Sequence, residues 1–162
     1  MNDSQIITAQ VIGGGVKTME SNNQIIPWWS FGKTAIAAAT LRLVQDDRLE
    51  LDASFEGKPY TLRQLLMHTS GLSDYGMLRD YHEAVEHNEH PWDFSDMVER
   101  VNVDTLLFEP GKKFSYSNVG YALIRNKIER MTDKNLQKSL EELVFTPLKI
   151  KGVTVANNTS DL

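Results

Sequence analysis

The feature that most constrains this chain is a change of periodicity at Pro27. Before it, residues 5–12 (QIITAQVI) alternate loosely between polar and apolar, and Gly13-Gly14-Gly15 separates them from Val16-Lys17-Thr18-Met19. That is the pattern of two short strands around a turn. After Pro27, apolar positions recur at intervals of three and four. Ile36, Thr40, Leu43 and Val44 follow this spacing with alanines between them, which predicts a helix from Ser30 to Asp46. Pro27 disfavours helical backbone just before it, so the helix begins beyond it.

Further helices are marked by their ends. Thr61 followed by Gln64 has the form of a capping box, Leu62, Leu65 and Leu66 continue it, and Gly71 can terminate it. Phe94 to Val101 is helical in pattern behind Asp93, and Val119 to Met131 places Leu123, Ile124 and Ile128 on one side. Asn135 caps a helix from Leu136 to Val144, which Pro147 closes. Residues 70–92, 103–118 and 146–162 are expected as loops. The expected class is α+β, mainly helical with an N-terminal β-hairpin, in one domain over residues 1–162.

A chain of 162 residues buries roughly 70% of its unfolded surface, enough for a real core. An apolar fraction of 41% and a charged fraction of 24% are those of an ordinary globular protein. The net charge of −5 offers no basic patch for phosphates, which argues against nucleic acid as a partner. The absence of cysteine removes disulfides, thiolate metal sites and a thiol nucleophile together. No stretch approaches the roughly 18 apolar residues of a membrane span, and Met1 to Gln10 carries no export signal. A cytoplasmic location follows if Met1 is native.

The chemistry-bearing constellation begins at Ser30-Phe31-Gly32-Lys33, a hydroxyl and an amine three residues apart at the start of a helix and so on one face. A lysine can take the serine proton when desolvation or a neighbouring cation lowers its pKa. Trp28, Trp29 and Phe31 are expected to supply a dry wall for it. The helix N-terminus favours negative charge near Ser30, whose backbone N–H is available as an oxyanion donor. Taken alone the motif fits a helix cap and a solvated lysine equally well.

The second element, Tyr116-Ser117-Asn118, lies between the Pro110-Gly111 turn and the next helix. Tyr116 can relay protons, and the Asn118 amide can hold Lys33 and a substrate carbonyl. The plainer reading is a packing tyrosine beside an asparagine cap.

Longer segments decide between these readings. Ser30-Phe31-Gly32-Lys33-Thr34 with its alanine-rich helix, running into Leu41-Arg42-Leu43-Val44-Gln45-Asp46-Asp47-Arg48-Leu49-Glu50-Leu51-Asp52, resembles the nucleophile helix of class C β-lactamases and their esterase and D-alanyl peptidase relatives. Thr61 to Leu72 (TLRQLLMHTSGL) is similar to the segment that follows that helix. Glu109 to Tyr121 (EPGKKFSYSNVGY) is similar to the second catalytic motif with its flanks, and Phe145 to Ile150 to the segment closing the helical region. The resemblance spans residues 28–152 in order.

It implies a β-lactamase/penicillin-binding-protein-like fold and a serine hydrolase acting on a β-lactam, D-alanyl peptide or ester. It implies Ser30 as the acylated nucleophile, Lys33 as its base, Tyr116 as second base or proton shuttle, and Asn118 as a substrate-side donor. His68, Thr69 and Ser70 resemble scaffold, and a histidine ending a helix can simply meet its terminal carbonyls. No cofactor is implied. By family analogy the location is periplasmic or extracellular.

The family continues into strands carrying a Lys-Thr-Gly or His-x-Gly motif and a second oxyanion donor, and neither motif follows Asn118 here. Loss of one such donor costs about 10²–10³ in rate, so weak or absent activity is expected of these residues. A fragment, a natural truncation, or a half completed by another chain all fit; in the last case an unpaired strand edge favours a swapped or symmetric homodimer. A non-catalytic binding or interaction protein that keeps the scaffold is the competing function.

Two further motifs are set aside. Gly32-Lys33-Thr34 suggests a phosphate loop, but Pro27 stands where that loop needs glycine. His82, Glu83, Glu86, His87 and His90 invite a metal, but their spacing is not His-Glu-x-x-His, and a solvated loop or helix face accounts for them.

Overall fold

A computed structural model describes residues 9–12, 15–18 and 27–156. Strands β1 (Ala9–Ile12) and β2 (Gly15–Thr18) pair antiparallel, with Val11 opposite Val16. The rest of the anticipated hairpin, residues 5–8, 13–14 and 19, lies outside the described residues. Elsewhere among the described residues the regular elements are helical, apart from the isolated bridges Ser54 to Thr61 and Leu72 to Leu106.

The first long helix, α1, is Lys33–Gln45 rather than residues 30–46. A tight 3-10 turn, Trp29–Gly32, precedes it and carries Ser30. The small Ala35 and Ala39, with Thr40 and Leu43, form its buried face, and Thr40 turns its hydroxyl inward onto the Ile36 carbonyl at 2.8 Å. That bond satisfies a polar group that would otherwise be costly to bury. The helix ends near Asp46, and Arg48 then donates to the Met131 carbonyl at 2.9 Å, tying this end to the end of the later helix Asn118–Thr132.

Helix α2 (Leu62–Leu66) opens with the capping box expected of Thr61 and Gln64. Helix α4 (Phe94–Val101) opens on Asp93, whose carboxylate accepts from the Asp96 N–H. Helix α5 (Asn118–Thr132) runs through the core with Val119, Ile124 and Ile128 buried. Its cap is Ser117, which corrects the reading of Asn118 as the capping residue. Asn135 caps α6 (Leu136–Leu140), and a π-helical turn, Glu141–Phe145, continues it before Pro147. Helices α1, α2, α5 and α6 bury Leu43, Leu62, Leu65, Ile124, Ile128, Leu136 and Leu140 around one core. Each such side chain contributes about 1.5–3 kcal/mol by leaving water.

The segment 70–92 is not a plain loop, as it contains a 3-10 turn (Tyr75–Met77) and helix α3 (Arg79–Glu86). No residue of α3 is buried, so core burial does not hold it, although Tyr81, Ala84 and Val85 keep helical spacing. The helix draws instead on an Arg79–Glu83 pair one turn apart and on packing of Tyr81 against Tyr75 and Trp92. His82 meets the Gly76 carbonyl at 2.9 Å, and among the described residues no group of three or more acidic or histidine side chains converges to hold a metal. Among the same residues no helix is long and apolar enough to cross a membrane.

One glycine is fixed by geometry. Gly71 has φ +83°, and a Cβ there would lie 2.3 Å from the Phe108 carbonyl oxygen. The Leu107 N–H donates to the Gly71 carbonyl at 2.8 Å, so residues 71–72 lie directly against residues 106–108. This close approach directs the chain from α2 into Ser73 and Asp74.

Candidate active site

Ser30 and Lys33 stand one turn apart, as their spacing requires. The Lys33 Nζ is 3.4 Å from the Ser30 Oγ, a weak contact, and donates at 2.8 Å to the Asn118 Oδ1. The expected dry wall is not formed, and of the rings nearest the amine Tyr121 is buried while Tyr116 is 42% exposed. Trp28, Trp29 and Phe31 are 43%, 85% and 65% exposed, while the faces nearest the amine belong to Tyr116 and Tyr121, with ring centroids at 5.1 and 5.7 Å. Trp29 takes a left-handed φ of 46°, a costly conformation for a bulky residue immediately before Ser30.

The opposite side of the site is the approach to α5. The Tyr116 hydroxyl donates to the Ser30 Oγ at 2.9 Å. Lys33 and Tyr116 thus converge on one oxygen from positions 83 residues apart in sequence. Burial works to raise the Tyr116 pKa, but the hydrogen bonds to Lys33 and Ser30 and the Lys33 charge prevail and hold the phenol below its ordinary value. An amine and an acidified phenol around one hydroxyl are suited to moving a proton off that oxygen and onto a leaving group.

Asn118 meets Lys33 through its carbonyl oxygen. Its amide nitrogen donates at 2.9 Å to the Asp74 Oδ2, which leaves one amide hydrogen for a substrate. The Asp74 Oδ1 also accepts the backbone N–H groups of Asn118 at 2.6 Å and Val119 at 3.2 Å. The Ser117 hydroxyl accepts from the Gly120 N–H at 3.1 Å and donates to the Ser73 carbonyl at 2.9 Å. The first three N–H groups of α5 are thereby satisfied by Asp74 and Ser117, and a carboxylate at a helix N-terminus is favoured by the helix dipole.

Asp74 is a residue that sequence reasoning missed. The available signal was an acid set between Leu72 and Tyr75 directly after the glycine turn. The sequence places His68 as scaffold at a helix end, where a histidine can meet terminal carbonyls. In the structure its Nδ1 accepts from the Ser117 N–H at 3.2 Å, and its ring lies 4.4 Å from that of Tyr116. Burial first, then the Lys33 charge, push its pKa below the ordinary value, against the opposing pull of Asp74. The four site residues expected from sequence, Ser30, Lys33, Tyr116 and Asn118, are brought together.

Comparison with known proteins gives a consistent picture. The family model described as Beta-lactamase matches residues 2–161. A D-aminopeptidase of Brucella anthropi is 31% identical over 118 residues, covering 71% of this chain and 22% of that protein. A D-aminopeptidase of Gluconobacter oxydans is 25% identical over 173 residues, covering 98% of this chain and 32% of that protein. Among solved structures, a D-stereospecific amidohydrolase from Streptomyces sp. superposes with a TM-score of 0.66 at 26% identity, over 83% of this chain and 45% of that one. The chain spans less than half the length of each of these relatives.

Proposed function

Because the chain belongs to the β-lactamase family of hydrolases, whose model covers residues 2–161, we propose that it carries the nucleophile-bearing part of a serine acyl-transfer site. The observation that carries this reading is the convergence of the Lys33 amine and the Tyr116 hydroxyl on the Ser30 Oγ. Residues 1–162 are taken as one part of a β-lactamase-like domain.

In this reading the Ser30 Oγ attacks a substrate carbonyl carbon while its proton passes to the Lys33 amine. The Tyr116 hydroxyl hands a proton to the departing amine or alkoxide as the carbonyl–leaving-group bond breaks. Water then attacks the Ser30 ester and gives one proton to the phenolate, and as the ester bond breaks Lys33 returns its proton to the Ser30 Oγ and the acid is released. The free Asn118 amide hydrogen holds the substrate carbonyl side chain, and the backbone N–H of Ser30 supplies an oxyanion donor. The substrate is an acyl compound of the β-lactam, D-alanyl peptide or ester type. The relatives, D-aminopeptidases and a D-stereospecific amidohydrolase, favour an amide. No Lys-Thr-Gly or His-x-Gly motif follows Asn118 within these residues, so turnover by them alone is proposed to be weak or absent.

Intact-mass analysis after a fluorophosphonate or a β-lactam tests the assignment. A single adduct is expected, lost in Ser30→Ala and equally in Lys33→Ala, because the pair acts as a unit. No adduct on the folded chain would instead favour a non-catalytic binding protein on the same scaffold, and normal labelling of Lys33→Ala would remove the lysine from its role as base.

A further inference from the structure

Tyr116 is gripped by a single residue on three sides. His68 adopts a left-handed backbone, φ 56°, at the end of α2. Its carbonyl accepts from the Ser115 N–H at 2.9 Å, and its Nδ1 accepts from the Ser117 N–H at 3.2 Å. Both peptide N–H groups flanking Tyr116 therefore end on His68. The imidazole also lies on the phenol ring, centroids 4.4 Å apart and planes 32° apart, and packs against Phe114 and Tyr121 on its other edges. A ring nitrogen accepts only when it bears no proton, so the bond to Ser117 fixes the neutral tautomer with hydrogen on Nε2.

Resting on the reading of Ser30 as nucleophile, we propose that neutral His68 is the positioning residue that sets the Tyr116 hydroxyl on the Ser30 Oγ, and that its protonation disengages the Tyr116 segment. A proton on Nδ1 would face the Ser117 N–H, donor against donor, and the segment would have to move to relieve it. The charged and titratable groups around the ring are Lys33 from α1, Asp74 from the segment before α3, and the phenols of Tyr116 and Tyr121. Burial and Lys33 keep the proton off, Asp74 opposes them, and the result lies below the ordinary value of 6.5. The grip therefore holds at neutral pH and is lost as pH falls below that region. A histidine whose folded pKa lies under its unfolded one also costs stability over the same descent, since the unfolded chain then binds more protons.

The test compares fluorophosphonate labelling rates of the full chain between about pH 5 and 8, spanning the range in which a histidine titrates. His68→Asn keeps an acceptor near the position of Nδ1, tolerates left-handed backbone and cannot titrate. It is expected to label within a few-fold of the parent at neutral pH and to lose the part of the acid limb that follows the imidazole, leaving any limb set by Lys33. His68→Phe keeps an aromatic ring but no acceptor, and its labelling is expected to fall about 10²-fold while circular dichroism stays native, the penalty of a reacting group displaced by about 1 Å. A folded His68→Phe that labels like the parent would overturn the proposal, as would a His68→Asn whose pH profile coincides with the parent's throughout, which decides the matter if His68→Phe does not fold. Absence of labelling in the parent counts against Ser30 as nucleophile, and the Ser117 amide resonance then judges His68 separately. That resonance is expected to track the imidazole titration in the parent and to stay fixed in His68→Asn; a static Ser117 amide in the parent refutes the grip.

Discussion

Ser30 and Tyr116 meet across 2.9 Å, but the segments that deliver them are built in opposite ways. The Tyr116-Ser117-Asn118 segment is tied at every residue: Asp74 takes three donors, Ser117 bridges to Ser73, and His68 takes the N–H on either side of the tyrosine. The Ser30 segment is a 3-10 turn with no buried residue, bordered by exposed aromatics and entered through a strained Trp29. Order on the proton-handling side thus comes from polar groups closed off from water, where each unmade bond would be expensive. The nucleophile's side depends on the helix behind it and on the two groups that reach it. The difference teaches that the proton-handling side serves as the fixed reference to which the serine is brought.

The sharpest way to break this contrast is Asp74→Ala. Three donors at the start of α5 would lose their acceptor, at roughly 1–3 kcal/mol each before relaxation, so a loss of about 4 kcal/mol in urea unfolding is expected. Labelling at Ser30 should fall with it, and a variant as stable as the parent would show that the anchored side is not anchored by Asp74. Gly71→Ala is next. It forces a side chain into left-handed backbone and against the Phe108 carbonyl, for about 2–3 kcal/mol of destabilisation. Unchanged melting there would mean that the turn delivering Asp74 has slack. The smallest effect is expected on the other side, where Trp29→Gly relieves the left-handed strain and should raise stability by about 1 kcal/mol with little change in labelling. A clear loss of stability instead would reveal packing at Trp29 and narrow the difference between the two segments.

What could be read from sequence divides along the same line. Caps at Thr61, Asp93 and Asn135 are local, made between residues three apart, and the structure keeps each of them. Ser30, Lys33, Tyr116 and Asn118 were reached through motif resemblance, and their convergence rests on contacts more than 80 residues apart that no periodicity contains. Asp74 and His68 escaped because each acts only through tertiary partners: one is an acid in a stretch that reads as loop, the other a histidine whose carbonyl and ring face the same distant segment, Phe114 to Ser117. Helix α3 escaped for another reason: Tyr81, Ala84 and Val85 keep helical spacing, but they stand among polar and charged residues that read as a solvated loop.

The Asn118 amide gives the site a polarity. Its nitrogen end faces the Asp74 carboxylate and its oxygen end faces the Lys33 amine, so an anion and a cation oppose one another through one interposed dipole aligned with the field between them. These three positions therefore cannot be exchanged singly. An aspartate at 118 would set two anions face to face, a leucine of similar size would sever the connection, and reversing both charges would require the amide to turn end for end. The arrangement can be read in one direction only, from acid through amide to amine, and a chain that drifts at one of these positions must drift at all three.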